Sequence, residues 1–186
     1  MTFPSFSAHM PLVDGRNHLM IRARATYAVL LGGTLLWCSA ILAAPMLHNG
    51  PWETVSAFLY RFFQPICNQL DSHSFHIDGG KTAVCMRCSS IYFSFLAGLL
   101  IYPIVRSIAH RVGLPRGWLI VAVTPMILDV SLSLLRIHES TSLSRIVTGS
   151  CFGVIAVFII VPTIVDAVSE LLTRARVESS ITIKKD

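Results

Sequence analysis

The chain has 186 residues, 53% of them hydrophobic and 13% charged, with 15 Lys and Arg against 10 Asp and Glu for a net charge of +5. Ordinary soluble domains carry about 25% charged residues, so this chain has too little solvating charge for a typical soluble globule. The positive balance comes without the basic face and stacking groups that nucleic-acid readers need, and no nucleic-acid partner is expected.

Residues 1–24 read as a mobile N-terminal arm, with prolines at Pro4 and Pro11 and no helical period over the first twenty residues. Ala25 to Leu47 is then uncharged throughout. A helix needs about 20 apolar residues to cross a bilayer core of roughly 30 Å. Inside hydrocarbon, helices satisfy every backbone polar group. Arg22 and Arg24 before the run and "ILAAP" near its end suggest a secretory signal, but the run is longer than a signal core and contains Trp37. A retained membrane helix is expected.

"PWETVSAFLYRFFQPIC" follows. Trp52, Val55, Phe58, Leu59 and Phe62 recur at helical spacing, with Glu53, Ala57, Arg61 and Gln64 on another face. Pro51 suits a helix start and Pro65 a stop. A short amphipathic helix is expected, either lying in the membrane interface or packed on the bundle. Within the loop 48–87, Asn68 to Ala83 is polar and turn-rich, and Cys85-Met86-Arg87-Cys88 leads into the next apolar run, Cys88 to Val105. Gly117 to Leu135 is interrupted by Asp129 alone, and Ile146 to Val165 is uncharged. The fold expected is all-α and integral to the membrane, with four transmembrane helices in a single domain over 25–173 and a solvated tail from 174 to 186.

Four crossings put the arm, the middle loop and the tail on one face. That face holds Arg16, Arg22, Arg24, Arg106, Arg111, Arg116, Arg174, Arg176, Lys184 and Lys185. The other holds Arg61, Lys81, Arg87, Arg136 and Arg145. The positive-inside rule then places both termini in the cytoplasm of a multi-pass cell-membrane protein, with the cysteine-rich loop outside.

The stretches "CNQLDSHSF…VCMRCSSIYFSFLAG" and "TPMILDVSLSLLRIHESTSLSRIVTGSCFG" resemble the prokaryotic predicted-membrane-protein family called domain of unknown function 2085. The resemblance rests on Cys67, Gln69, Ser74, Phe75, Cys85, Arg87, Cys88, Ile91 and Tyr92, then on Pro125, Asp129, Glu139, Ser140, Thr141, Arg145, Thr148 and Gly149. Asn68 stands where that family usually has His, His73 where it has Arg, and Ser90 where it has Gly. The resemblance implies a membrane protein and brings no activity with it.

Three readings of the cysteine segment stay open. Zinc in structural sites takes four Cys or His ligands, and Cys67, Cys85 and Cys88 with His76, or with His73, would supply them; catalytic zinc keeps three protein ligands plus water, so the three cysteines alone are also admissible. His76 is preferred, because the resemblance aligns His73 with Arg, which cannot ligate. Alternatively, Cys-x-x-Cys at a helix N-terminus with Arg87 between its sulfurs suits thiol–disulfide chemistry. That architecture is similar to quinone-coupled disulfide-forming membrane enzymes, and quinone would then be the cofactor. The third reading is a structural clasp. Cys38 and Cys151 fall inside helices and read as buried apolar residues.

Asp129 is costly in a membrane helix and must pair, hydrate or take up a proton. Arg136 and Arg145 are its expected partners, and Ser140 or Thr141 is expected to cap the last helix. Asp129, Glu139, Arg145 and Arg87 are the candidate catalytic residues, converging with the cysteines on one face. "TGSCFG" places Gly149 and Gly153 at the spacing of a close helix crossing. Membrane lipid is the expected partner, with other membrane-protein subunits as a further one.

Overall fold

A computed structural model describes residues 12–77, 79–108, 115, 117–135, 137 and 140–183. The elements run α1 (Leu12–Met46), α2 (Glu53–Phe63), a 3-10 turn (Asp71–His73), β1 (Ser74–Ile77), β2 (Gly80–Cys85), α3 (Met86–Val105), α4 (Gly117–Leu134) and α5 (Ser142–Ile183). Among the described residues, four segments are long and apolar enough to cross a membrane: Met20–Met46, Met86–Val105, Gly117–Leu134 and Ser142–Leu171. The protein is a mostly helical membrane protein.

α3 and α5 pack most intimately, because small residues let their backbones approach. A Cβ at Gly149 would lie 2.7 Å from the Arg87 carbonyl oxygen and 3.1 Å from Ser90 Cβ. At Gly153 it would run into Ser94 Oγ and the Ile91 carbonyl, and at Gly98 it would meet Val157 Cγ2 at 2.8 Å. The close crossing expected from "TGSCFG" therefore has a complementary strip on α3, formed by Ser90, Ser94 and Gly98. α1 closes over this pair, burying Ala23 and Tyr27 with Leu99, Tyr102, Val157, Val161 and Val165. α4 is peripheral and buries only Ala122 and Asp129.

A second core lies at the end of the bundle where α1 finishes. Ile41 and Ala44 of α1 pack with Phe63, Cys67, Ala83 and Val84. Each large apolar side chain withdrawn from water there contributes about 1.5–3 kcal/mol, which pins the segment between α1 and α3 onto the bundle as a lid. Ser56 Oγ donates to the Ala44 carbonyl (2.7 Å), fixing α2 to the end of α1. Of the apolar side of α2 anticipated from sequence, Leu59 packs on this core, while Trp52 at 61% and Phe58 at 64% are exposed.

Three features differ from expectation. The lid is not all loop: β1 and β2 form an antiparallel hairpin pairing Ser74 with Cys85 and His76 with Lys81. It turns at Gly79, whose φ of +82° favours glycine. Gly80 then passes so close that a Cβ would sit 3.1 Å from Pro45. The strands have only four and six residues with mixed polarity, too short for alternation to declare itself. α1 starts at Leu12, inside the segment read as an arm, and α5 runs to Ile183, through most of the segment read as a tail.

Candidate metal centre

Cys67 follows α2 by one further turn, its N–H donating to the Phe63 carbonyl at 3.0 Å. Cys85 ends β2 and precedes the first residue of α3 in an extended conformation, with φ −66° and ψ 164°. Cys88 sits one turn into that helix. The strand-to-helix junction thus turns both sulfurs of the Cys-x-x-Cys toward Cys67. The three Sγ atoms all lie within 4.8 Å of one another. Zinc–thiolate bonds of about 2.3 Å in a tetrahedron separate sulfurs by about 3.8 Å, so a small inward movement would satisfy an ion. The donor set is soft and all sulfur, which suits zinc.

The surroundings favour a thiolate at Cys67. The thiols of Cys85 and Cys88 donate toward its sulfur, as do the backbone N–H groups of Cys85, at 3.2 Å, and Gln69. Together they hold the Cys67 thiol well below its ordinary pKa despite burial, which acts in the opposite direction. Gln69 itself is braced. It takes a positive φ of 47°, and its side-chain amide donates to the carbonyls of Tyr60 and Ala83, both at 2.8 Å. Lys81 Nζ donates to the Gln69 carbonyl at 2.9 Å. The sequence reading passed over this clamp, which joins the end of α2 to β2.

The expected fourth ligand is not in the cluster. His76 Nε2 lies 3.3 Å from Asp71 Oδ1, and both side chains are exposed. In β1 the residue pairs with Lys81, well along the hairpin from Cys85, and that register carries it away from the sulfurs. His73 is no member of the cluster either. Burial holds its pKa down, and the charges of Arg145 and Arg87 act in the same direction. Among the described residues the ligand set is three cysteines.

Arg87, between the two sulfurs of the motif, reaches α4. Its guanidinium Nη2 donates to Asp129 Oδ2, forming an ion pair, and to Ser140 Oγ at 3.2 Å. The carboxylate also accepts from Ser140 Oγ and Ser144 Oγ, each at 2.6 Å. The Asp129 side chain is 8% exposed and that of Arg87 18%. The partner of Asp129 is therefore Arg87 rather than Arg145, which touches the network through Ser140, Nε donating to Oγ at 3.1 Å. Arg136 and Glu139 lie outside the described residues. Thr141 caps α5 as expected, its Oγ1 accepting from the Ser144 N–H at 3.2 Å. Of the two remaining cysteines, Cys38 is buried but Cys151 is exposed on the outer side of α5.

The uncharacterized protein MJ1492 of Methanocaldococcus jannaschii is 35% identical to this chain over 139 residues, covering 72% of this chain and 88% of the relative. No solved structure matches. Residues 67–159, which contain the cysteine cluster and the whole Arg87–Asp129 network, match the family described as "Predicted membrane protein (DUF2085)", and with the relative's similarity they show that the chain belongs to that family.

Proposed function

We propose that this is a multi-pass protein of the cell membrane whose three cysteines hold a zinc ion on the extracytoplasmic side, above a polar network that positions them. The observation carrying the reading is the convergence of Cys67, Cys85 and Cys88 within 4.8 Å from the turn after α2, the end of β2 and the start of α3. Free thiols gain little from such crowding, whereas a shared cation makes it favourable. Zinc bound there would cross-link the end of α2 to the start of α3, and a coordination position left to water or substrate would make it a Lewis acid. Arg87, Asp129 and Arg145 act as positioning residues: they anchor the metal-bearing turn to the α4–α5 connection. α2 lies in the interface, with Trp52 and Phe58 in the lipid.

The test is metal analysis of purified protein, with thiols counted under denaturation before and after reduction. The expected result is near-stoichiometric zinc and three titratable thiols from the cluster. Cys67→Ser, Cys85→Ser and Cys88→Ser should each abolish retention, and His76→Ala should leave it intact. Metal binding requires deprotonated thiolates, so zinc should be released as pH falls. Metal that survives all three serine substitutions would end the proposal. A reducible Cys85–Cys88 bond without metal would transfer the site to disulfide chemistry.

A further inference from the structure

The end of the bundle away from the lid holds a crevice of about 200 Å³ between α1 and the end of α3. Met20, Ala23 and Arg24 form one wall, and Pro103, Ser107 and Ile108 form the other. Its depth in the membrane follows from the spans. The first begins at Met20 and the second ends at Val105. Both leave the hydrocarbon here, so the crevice lies at the level of the lipid headgroups.

A contact one turn deeper holds the two walls together. Pro103 has no N–H, which leaves the Leu99 carbonyl without its partner inside α3. The buried Tyr27 hydroxyl of α1 donates to that carbonyl instead. Tyr27 follows Ala23 and Arg24 by one turn, so this clasp sets where Arg24 stands against the end of α3. Ile108 packs on the same core as Ala23 and Tyr27. Over this apolar base stand two exposed polar groups, the Arg24 guanidinium and the Ser107 hydroxyl. Arg24 forms no ion pair among the described residues. Arg174, at the same end of the molecule, is paired with Glu170 at 2.5 Å. An unpaired guanidinium beside a hydroxyl, above apolar walls, matches an anion attached to hydrocarbon. At headgroup level that anion is a phosphate, and basic pockets between membrane helices take phosphate headgroups. Arginine binds phosphate through two parallel charge-assisted hydrogen bonds.

We infer that this crevice binds the phosphate of one membrane phospholipid. Arg24 pairs with the phosphate, Ser107 donates to it, and Met20, Pro103 and Ile108 cover the glycerol and the first chain carbons. The site is independent of the sulfur cluster, which lies at the opposite end of the bundle. Arg24 also stands near the carboxyl end of α3, whose partial negative charge a cation offsets. That role needs no lipid, and the experiment separates the two.

Delipidated protein in detergent should be titrated with dioleoyl phosphatidylglycerol, and bound copies counted by native mass spectrometry. Dioleoylglycerol, which lacks the phosphate, and inorganic phosphate, which lacks the chains, serve as the other two probes. The unaltered protein should hold one phosphatidylglycerol more tightly than any further copy and keep it in millimolar phosphate. Dioleoylglycerol should bind about tenfold more weakly, the loss of one hydrogen bond to a charged group. Arg24→Gln should weaken phosphatidylglycerol by the same factor, and Arg24→Lys should recover part of it. Arg174→Gln removes a charge from the same end and should leave the bound copy unchanged. Equal weakening by Arg24→Gln and Arg174→Gln would mean diffuse attraction and overturn the site. So would an Arg24→Gln protein that melts earlier without lipid yet binds it as before, since Arg24 would then serve the helix end alone. Dioleoylglycerol binding as tightly as phosphatidylglycerol overturns the role of the phosphate. Displacement of the lipid by millimolar phosphate overturns the lipid as its source. These last two arms use the unaltered protein and need no variant to fold.

Discussion

Arg87 and Asp129 are worth more to each other than either is to the fold alone. Removing one partner of a buried ion pair leaves an uncompensated charge and costs about 3–5 kcal/mol. Arg87→Met should therefore destabilise by about that amount, since Asp129 is nearly inaccessible to water. Asp129→Asn should cost less, because an amide oxygen in the Oδ2 position still accepts from Ser140 and the amide NH2 in the Oδ1 position can donate to Ser144 Oγ. In the double variant the loss should fall well below the sum of the two single losses, the signature of a coupled pair. Unfolding in detergent, followed by helical signal, measures all three, and strict additivity would show that the two side chains stabilise independently. Asp129 was legible in the sequence as a residue that had to find a partner. Its partner was not: sequence proximity favoured Arg136 and Arg145, whereas the network is closed by an arginine 42 positions away. His76 misled for the opposite reason. It has the right chemistry close in sequence, and strand register directs it elsewhere.

Helix contacts brace the Cys85–Cys88 turn through two glycines that are not equivalent. Gly149 faces the carbonyl of Arg87, between the two motif cysteines, while Gly153 faces Ile91 and Ser94 one turn further along α3. Inserting a methyl group into packed structure costs about 1–3 kcal/mol, so Gly149→Ala and Gly153→Ala should both destabilise. Gly149→Ala should in addition weaken zinc retention, because the atom that must yield lies in the Cys85–Cys88 turn. Gly153→Ala should leave retention near normal in the molecules that remain folded. Gly32→Ala, where a Cβ meets nothing within 4 Å, should be neutral or stabilise by up to about 1 kcal/mol. Thermal unfolding with metal content read on the same samples separates these outcomes, and equal zinc loss from Gly149→Ala and Gly153→Ala would refute the distinction. The close crossing itself was legible from small-residue spacing on α5. Its counterpart on α3 was hidden, since serines and a glycine in an apolar run carry no mark of which face they occupy. The β1–β2 hairpin was hidden too. Its order comes from packing Ala83 and Val84 onto Phe63 and Ile41, which is tertiary information.

The longest helices are also the terminal ones: α1 has 35 residues and α5 has 42. At 1.5 Å per residue both exceed a hydrocarbon core of roughly 30 Å, so both project beyond it. α1 reaches the lid at its C-terminal end and α5 reaches the Arg87–Asp129 network at its N-terminal end, so their free ends extend together on the side opposite the cysteines. Apolar run length made the number of spans legible, because bilayer thickness is an external ruler. The projections were not, because charged residues continue a helix in water without any apolar signature. Arg22, Arg24, Arg106 and Arg174 all belong to the end away from the lid, and cationic flanks are retained in the cytoplasm. A reporter fused after Asp186 should therefore read cytoplasmic, and one inserted at the exposed turn of Gly79 should read the opposite side. Both reporters on the same side would be incompatible with four crossings. A clean exchange of sides would preserve the fold but move the sulfur cluster into a reducing compartment, where disulfides do not persist; zinc would then be the chemistry left to Cys67, Cys85 and Cys88.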